Sequence, residues 1–119
     1  MANDPRLICD SAQLADGGKG VRFNVEEWGE TLPAFVVRFN GKVHAYLNQC
    51  AHVSVELDWL EGEFFDESGL YLICSTHGAL YLPESGVCVG GPCTGKRLSR
   101  LAAEERDGKI YVYTNTMRG

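Results

Sequence analysis

The chain has 119 residues, a formal charge of −5 at neutral pH, 45% apolar residues and 23% charged ones. That is enough chain for one domain, residues 1–119, with its own core, and the balance is ordinary for a globular protein. It contains no apolar run of the roughly eighteen residues a membrane span needs and no basic stripe to meet phosphates, so neither membrane nor nucleic acid is expected as a partner.

The opening MANDPRLICD lacks the charged-then-apolar form of a signal peptide and has no twin arginine, which points to the cytoplasm. Leu7, Ile8 and Cys9 read as a first short strand, and 11–14 as a turn. The glycine-rich stretch 16–20 lacks the spacing and the Lys-Ser/Thr pair of a phosphate loop and reads as a plain turn. Residues 21–25 alternate apolar and polar, as a half-buried strand does. Pro33 begins a richer apolar run to Phe39, followed by Asn40-Gly41, a strong two-residue hairpin signal, and a return strand over 43–47. His44 on that strand has no cysteine at a matching distance and reads as a packed or surface residue.

Residues 70–73 form a strand feeding Cys74, residues 79–82 leave it as another, and 83–86 are a turn before a short strand at 87–89. Residues 98–106 suit a strand or a short helix. Asp107-Gly108 is a second hairpin signal, and 109–113 form a closing strand rich in β-formers. Many short strands with frequent turns argue for an all-β sandwich or barrel.

The chemistry lies between Cys50 and His77. Cys50-Ala51-His52 and Cys74-Ser75-Thr76-His77 each place one thiol and one imidazole a few residues apart. Side by side, two such tips offer two sulfur and two nitrogen ligands to a metal. Zinc accepts such a set, although finger sites usually pair cysteine with cysteine whereas each tip here is mixed. A bridged di-iron, di-sulfide group held by two thiolates and two neutral imidazoles stays close to neutral, which tolerates an added electron better than four thiolates do.

The pattern Cys-x-His, about twenty residues, then Cys-x-x-His-Gly resembles the Rieske iron–sulfur family at Cys50, His52, Cys74, His77 and Gly78. Gly90-Gly91-Pro92 resembles the family's proline-containing third loop, and 98–113 its closing strands. The resemblance implies a Rieske-like fold: an antiparallel β base with a small cluster-binding subdomain at about 48–93. It implies one [2Fe–2S] cluster per chain. It also implies a soluble ferredoxin that passes single electrons from a reductase to a ring-hydroxylating oxygenase or other redox partner, rather than an enzyme on its own. The alternatives are a redox-sensing or regulatory subunit of a larger reductase, and a structural zinc domain.

Three features complete the expectation. The high-potential branch carries an extra cysteine in each tip and a serine two residues after the second ligand histidine; this chain has no such cysteines and holds Ala79 there. Its tyrosine four residues after that histidine is matched by Tyr81. A potential in the low half of the family range is expected. The remaining cysteines, Cys9, Cys88 and Cys93, are an odd number without a signal sequence, which suits a reducing compartment, and they read as small hydrophobes unless exposed. Between Val43 and Cys93 stand seven acids and no lysine or arginine, with the 56–67 segment either a solvated loop or a docking face for a basic partner. The 21 residues between the tips are long for a small ferredoxin. Within them Trp59, Phe64 and Phe65 are expected to pack as a local core.

Overall fold

The computed structural model describes residues 5–27, 29–51, 55–58 and 60–113. The strands in chain order are β1 (Pro5–Asp10), β2 (Val21–Glu27), β3 (Glu30–Phe39), β4 (Lys42–Leu47), β5 (Leu72–Ile73), β6 (Leu80–Tyr81), β7 (Cys88–Gly90), β8 (Arg100–Arg106) and β9 (Lys109–Tyr113). One 3₁₀ turn, Ser11–Gln13, follows β1. Six strands form an antiparallel sheet in the order β1–β9–β8–β4–β3–β2, and β5–β6–β7 form a second, smaller sheet.

Both hairpin signals form the turns their residues favour. Asn40 and Gly41 have φ of 52° and 78°, and Asp107 and Gly108 have 54° and 76°. Positive φ at both central positions matches the right-handed twist of the flanking strands. Asp16, from the glycine-rich stretch, caps the first turn by accepting the N–H groups of Asn40 and Gly41 at 2.8 and 2.9 Å. The large sheet curls until its edges approach. There Arg6 donates to the Asn24 carbonyl, and its guanidinium lies 5.9 Å from the centre of the Phe23 ring. The base is therefore a nearly closed barrel, and the all-β expectation holds.

Why β3 is apolar on consecutive positions is now clear. Ala34, Phe35, Val36 and Val37 are all buried, yet strand side chains alternate faces. Ala34 and Val36 point with Val25, Ala45, Leu47, Leu101, Ile110 and Val112 into the barrel. Phe35 and Val37 join Tyr46 of β4 on the other face, under Phe64, Leu72, Tyr81 and Leu98. Phe35 stacks on Phe64 with ring centres 3.9 Å apart. Truncating a ring in such a site costs about 3–5 kcal/mol. The Tyr46 hydroxyl donates to the Pro83 carbonyl at 2.7 Å, which pins the 83–85 turn to the base. Burial pushes its phenol up to about 12, so that hydrogen bond persists across the working pH range.

The excursion between β4 and β8 carries everything else. Its ends are neighbours: Ala45 pairs with Leu101, and the Leu47 N–H donates to the Ser99 carbonyl at 2.9 Å. Three expected elements change, one of them the strand expected over 79–82, which shrinks to Leu80–Tyr81. Residues 98–106 settle as strand from Arg100, because they pair along β9. The strand expected over 70–73 shrinks to 72–73. The Tyr71 N–H is drawn instead to the Asp66 side chain in a turn. Phe64 is buried and Phe65 packs beside it, as expected of a local core; Trp59 lies outside the described residues.

Candidate metal centre

The second tip is a single tight turn. The Cys74 carbonyl accepts the N–H groups of His77 at 3.2 Å and Gly78 at 2.7 Å, and the Cys74 N–H donates to Ala79 at 2.9 Å. Closing that turn needs a residue at positive φ, and Gly78 supplies it at 73°. The proline loop lies on top. A side chain at Gly91 would sit 2.9 Å from the Ala79 Cα and 3.1 Å from the Gly78 carbonyl oxygen. Only glycine lets the loop's backbone approach so closely.

The first tip is braced from below by a network the sequence did not reveal. Asn48 is fully buried. Its side-chain oxygen accepts the Leu57 N–H at 2.8 Å, and its amide donates to Asp58 at 3.0 Å. Asp58 also accepts the Gly62 N–H at 2.9 Å, and its carboxylate lies 3.6 Å from Arg22 of β2. A buried carboxylate is tolerated only with partners of this kind. The Cys50 N–H donates to the Val55 carbonyl at 2.8 Å, and the Ser75 N–H donates to Leu57 at 3.0 Å. The long inter-tip segment thus ties the two tips together.

The tips converge. Ligand atoms of Cys50, Cys74 and His77 all lie within 4.8 Å of one another, with Cys74 Sγ 3.6 Å from His77 Nδ1. Both thiols are buried, while His77 is half-buried beside the exposed Ser75, Thr76 and Gly78. His52 lies outside the described residues. Burial pushes the Cys74 thiol up, against a smaller pull from the His77 and Thr76 N–H groups. Such a thiol gives up its proton when a cation replaces it. Among the described residues the group holds two soft sulfurs and an imidazole and no carboxylate, a donor set that suits iron–sulfur ligation.

Tyr81 of β6 completes the arrangement. Its ring is buried. Its hydroxyl oxygen accepts the Ala51 N–H at 3.0 Å and lies 3.3 Å from both Cys50 Sγ and Cys93 Sγ. Burial, then the two sulfurs, push its phenol well above the usual range, so it remains a donor. Cys93 and Cys88 pack beside it with all of their surface covered bar about 1%. Cys9 sits apart, in the barrel core. His44 is buried on β4 away from the tips, and burial lowers its pKa and keeps it neutral.

The acidic segment divides. Glu56 pairs with Arg22 at 2.7 Å, and Asp58 is buried, so both are spent internally. Glu61, Glu63, Glu67 and Glu84 are exposed. An apolar groove lined by Leu60, Phe65, Ile73 and Leu80 runs past Ser75 and Gly78 of the second tip, with Asp66 and Glu67 on its rim. Among the described residues no helix is long and apolar enough to cross a membrane.

A family model described as the Rieske [2Fe-2S] domain matches residues 4–114. No curated protein matches the chain. Among solved structures it is similar to a chain from a complex of reduced oxygenase and oxidised ferredoxin in carbazole 1,9a-dioxygenase, at 22% identity and a TM-score of 0.72, covering 95% of each chain. It is also similar to the terminal oxygenase of carbazole 1,9a-dioxygenase from Novosphingobium sp. KA1. There the identity is 23% and the TM-score 0.73, over 96% of this chain but 30% of that one. At these identities the likeness establishes a shared fold.

Proposed function

This chain belongs to the Rieske [2Fe-2S] domain family, and on that premise we propose that it is a ferredoxin-type carrier passing single electrons from a reductase to a terminal oxygenase. The family holds a [2Fe–2S] cluster, which exchanges one electron when bound. Cys50 and Cys74 supply its thiolates, and His52 and His77 its imidazoles. The observation that carries this reading is the convergence of Cys50, Cys74 and His77 at two loop tips, with Tyr81 aimed at Cys50.

The chain's own residues set the conditions. Buried thiols exclude water from the sulfur side. The half-buried His77 brings the site to the surface, where a partner can approach it. The groove and its acidic rim beside that histidine suit a partner with an apolar knob among basic residues. The likeness to a chain of similar length from an oxygenase–ferredoxin complex supports an oxygenase as acceptor.

Purified anaerobically, the protein is expected to contain iron and sulfide in equal amounts, two of each per chain, with a visible iron–sulfur spectrum. Reduced protein mixed with a Rieske-dependent oxygenase should reoxidise faster than in oxygen-free buffer alone. A colourless protein, or reoxidation indifferent to the oxygenase, overturns the reading.

A further inference from the structure

Two thiols of the cluster-side core take no part in the proposed ligand set. Cys88 and Cys93 are each about 1% exposed, and their Sγ atoms lie 2.8 Å apart. That is well inside ordinary sulfur–sulfur contact and only about 0.8 Å longer than a disulfide bond. The backbone holds them there. The Cys88 N–H donates to Lys96 at 2.7 Å, the Gly95 N–H to Cys88 at 3.1 Å, and the Lys96 N–H to Cys93 at 2.9 Å. Gly91, Pro92, Thr94 and Gly95 are exposed, so Cys93 lies a single side chain below the surface. On its inner side Cys93 Sγ is 3.3 Å from the Tyr81 hydroxyl, which is itself 3.3 Å from Cys50 Sγ.

We propose that Cys88 and Cys93 are a dithiol–disulfide site, oxidised by a low-molecular-weight disulfide, whose state is passed through Tyr81 to the Cys50 side of the cluster. One protein thiolate attacks the small disulfide, forming a mixed disulfide and releasing a thiol. The second protein sulfur then displaces the other half. The protein thiols lose two electrons and two protons and gain an S–S bond, while the reagent's S–S bond is reduced to two thiols.

The coupling follows from one proton. In the dithiol the Cys93 S–H is donated to Cys88 and the Cys88 S–H to the Gly90 carbonyl, so Cys93 meets Tyr81 as a polarised acceptor that competes with Cys50 for the tyrosine's one proton. In the disulfide both S–H groups are gone, Cys93 is a weaker acceptor, and the Tyr81 proton is left to Cys50. A stronger donor on a ligand sulfur favours the reduced cluster, so the potential rises when the pair is oxidised. The coupling rests on Cys50 being a ligand; the disulfide itself does not.

The test equilibrates cluster-loaded protein with glutathione mixtures from fully reduced to fully oxidised, with the visible spectrum reporting an intact cluster. Burial and the neighbouring Cys93 push the Cys88 thiol up, so mildly alkaline buffer speeds the exchange. After acid quenching and alkylation, cleavage following Glu84 and Glu104 yields residues 85–104, which contain Cys88 and Cys93 and no other cysteine. The expected result is a peptide two hydrogens lighter that takes no alkyl group in oxidising mixtures and takes two in reducing ones. Cys88→Ser should abolish that species. The cluster midpoint should rise on oxidation in the wild type and stay unmoved in Tyr81→Phe.

Two alkyl groups at every ratio, with the cluster intact, would overturn the site. Disulfide formation without a midpoint change would overturn the coupling. A chain that forms the disulfide yet passes no electron to an oxygenase counts against the carrier reading and leaves this one standing.

Discussion

The Tyr81 hydroxyl accepts the Ala51 N–H, and its one proton is offered to two sulfurs. A donor to a ligand sulfur stabilises the more negative, reduced state. Tyr81→Phe should therefore keep the cluster but lower its midpoint. If the bond is worth about 1 kcal/mol more in the reduced state, the shift is about 40 mV, readable by voltammetry. Ala79→Ser should raise it, if the added hydroxyl reaches a sulfur from that buried position. The wild-type midpoint is expected in the low half of the family's range of roughly −150 to +300 mV. Cys74→Ser should lose the iron, and Cys9→Ser, out in the barrel core, should not; metal analysis of both decides it. Of the proposed ligands, Cys74 and His77 were legible as a pair because their spacing is local: they share one turn. Asn48 and Asp58 were not legible. Their partners, Leu57, Gly62 and Arg22, are brought to them by the fold, and an asparagine before a tip or an aspartate in an acidic run carries no mark of that.

Strands β3 and β8 are joined by a fork. Arg38 donates to both Glu105 oxygens at 2.8 Å and to the Leu14 carbonyl at 2.8 Å, so the 3₁₀ turn is fastened as well. The Arg38 hydrogen bonds hold the Glu105 carboxyl down at about 2, against an ordinary 4.5. A depressed carboxylate stabilises the fold above its unfolded value and loses that contribution as pH falls through the folded one. Glu105→Gln should thus cost about 1 kcal/mol at neutral pH, given a geometry that is bidentate but partly exposed. The gap between mutant and wild type should close between pH 4.5 and 2, as denaturant titrations at several pH values would show. A gap that persists at pH 2 would mean the loss is packing rather than charge. At this scale the sequence was most readable where turn chemistry is explicit, at Asn40-Gly41 and Asp107-Gly108. It was ambiguous at Ala102-Ala103-Glu104-Glu105, good helix-formers that become strand because β9 lies alongside to pair with them. The β2–β3 connection went unread, since Trp28-Gly29 carries no such two-residue signal.

Across the whole molecule, charge and groove point the same way. Glu63 and Glu67 stand by the apolar strip next to the second tip, while two acids of the same segment are consumed by Arg22 or buried. The net charge of the run therefore overstates what a partner meets. If this face docks, electron transfer to the partner should slow as salt is added, because exposed charges are screened beyond about 8–10 Å. Glu63→Lys with Glu67→Lys should slow it about tenfold at low salt, chiefly in the association step. Stopped-flow rates indifferent to both changes would return the segment to a solvated loop. The pairing of Ala45 with Leu101 has a different consequence. Everything between these two residues departs from and returns to one seam of the barrel, so added length in its exposed turns is nearly free: each doubling of a flexible loop costs only about 0.6 kcal/mol of closure entropy. Growth at an exposed turn of the span, as at Glu67-Ser68, would reshape what docks there without moving the seam, while Leu57, Asp58 and Phe64, packed on the base, hold their places.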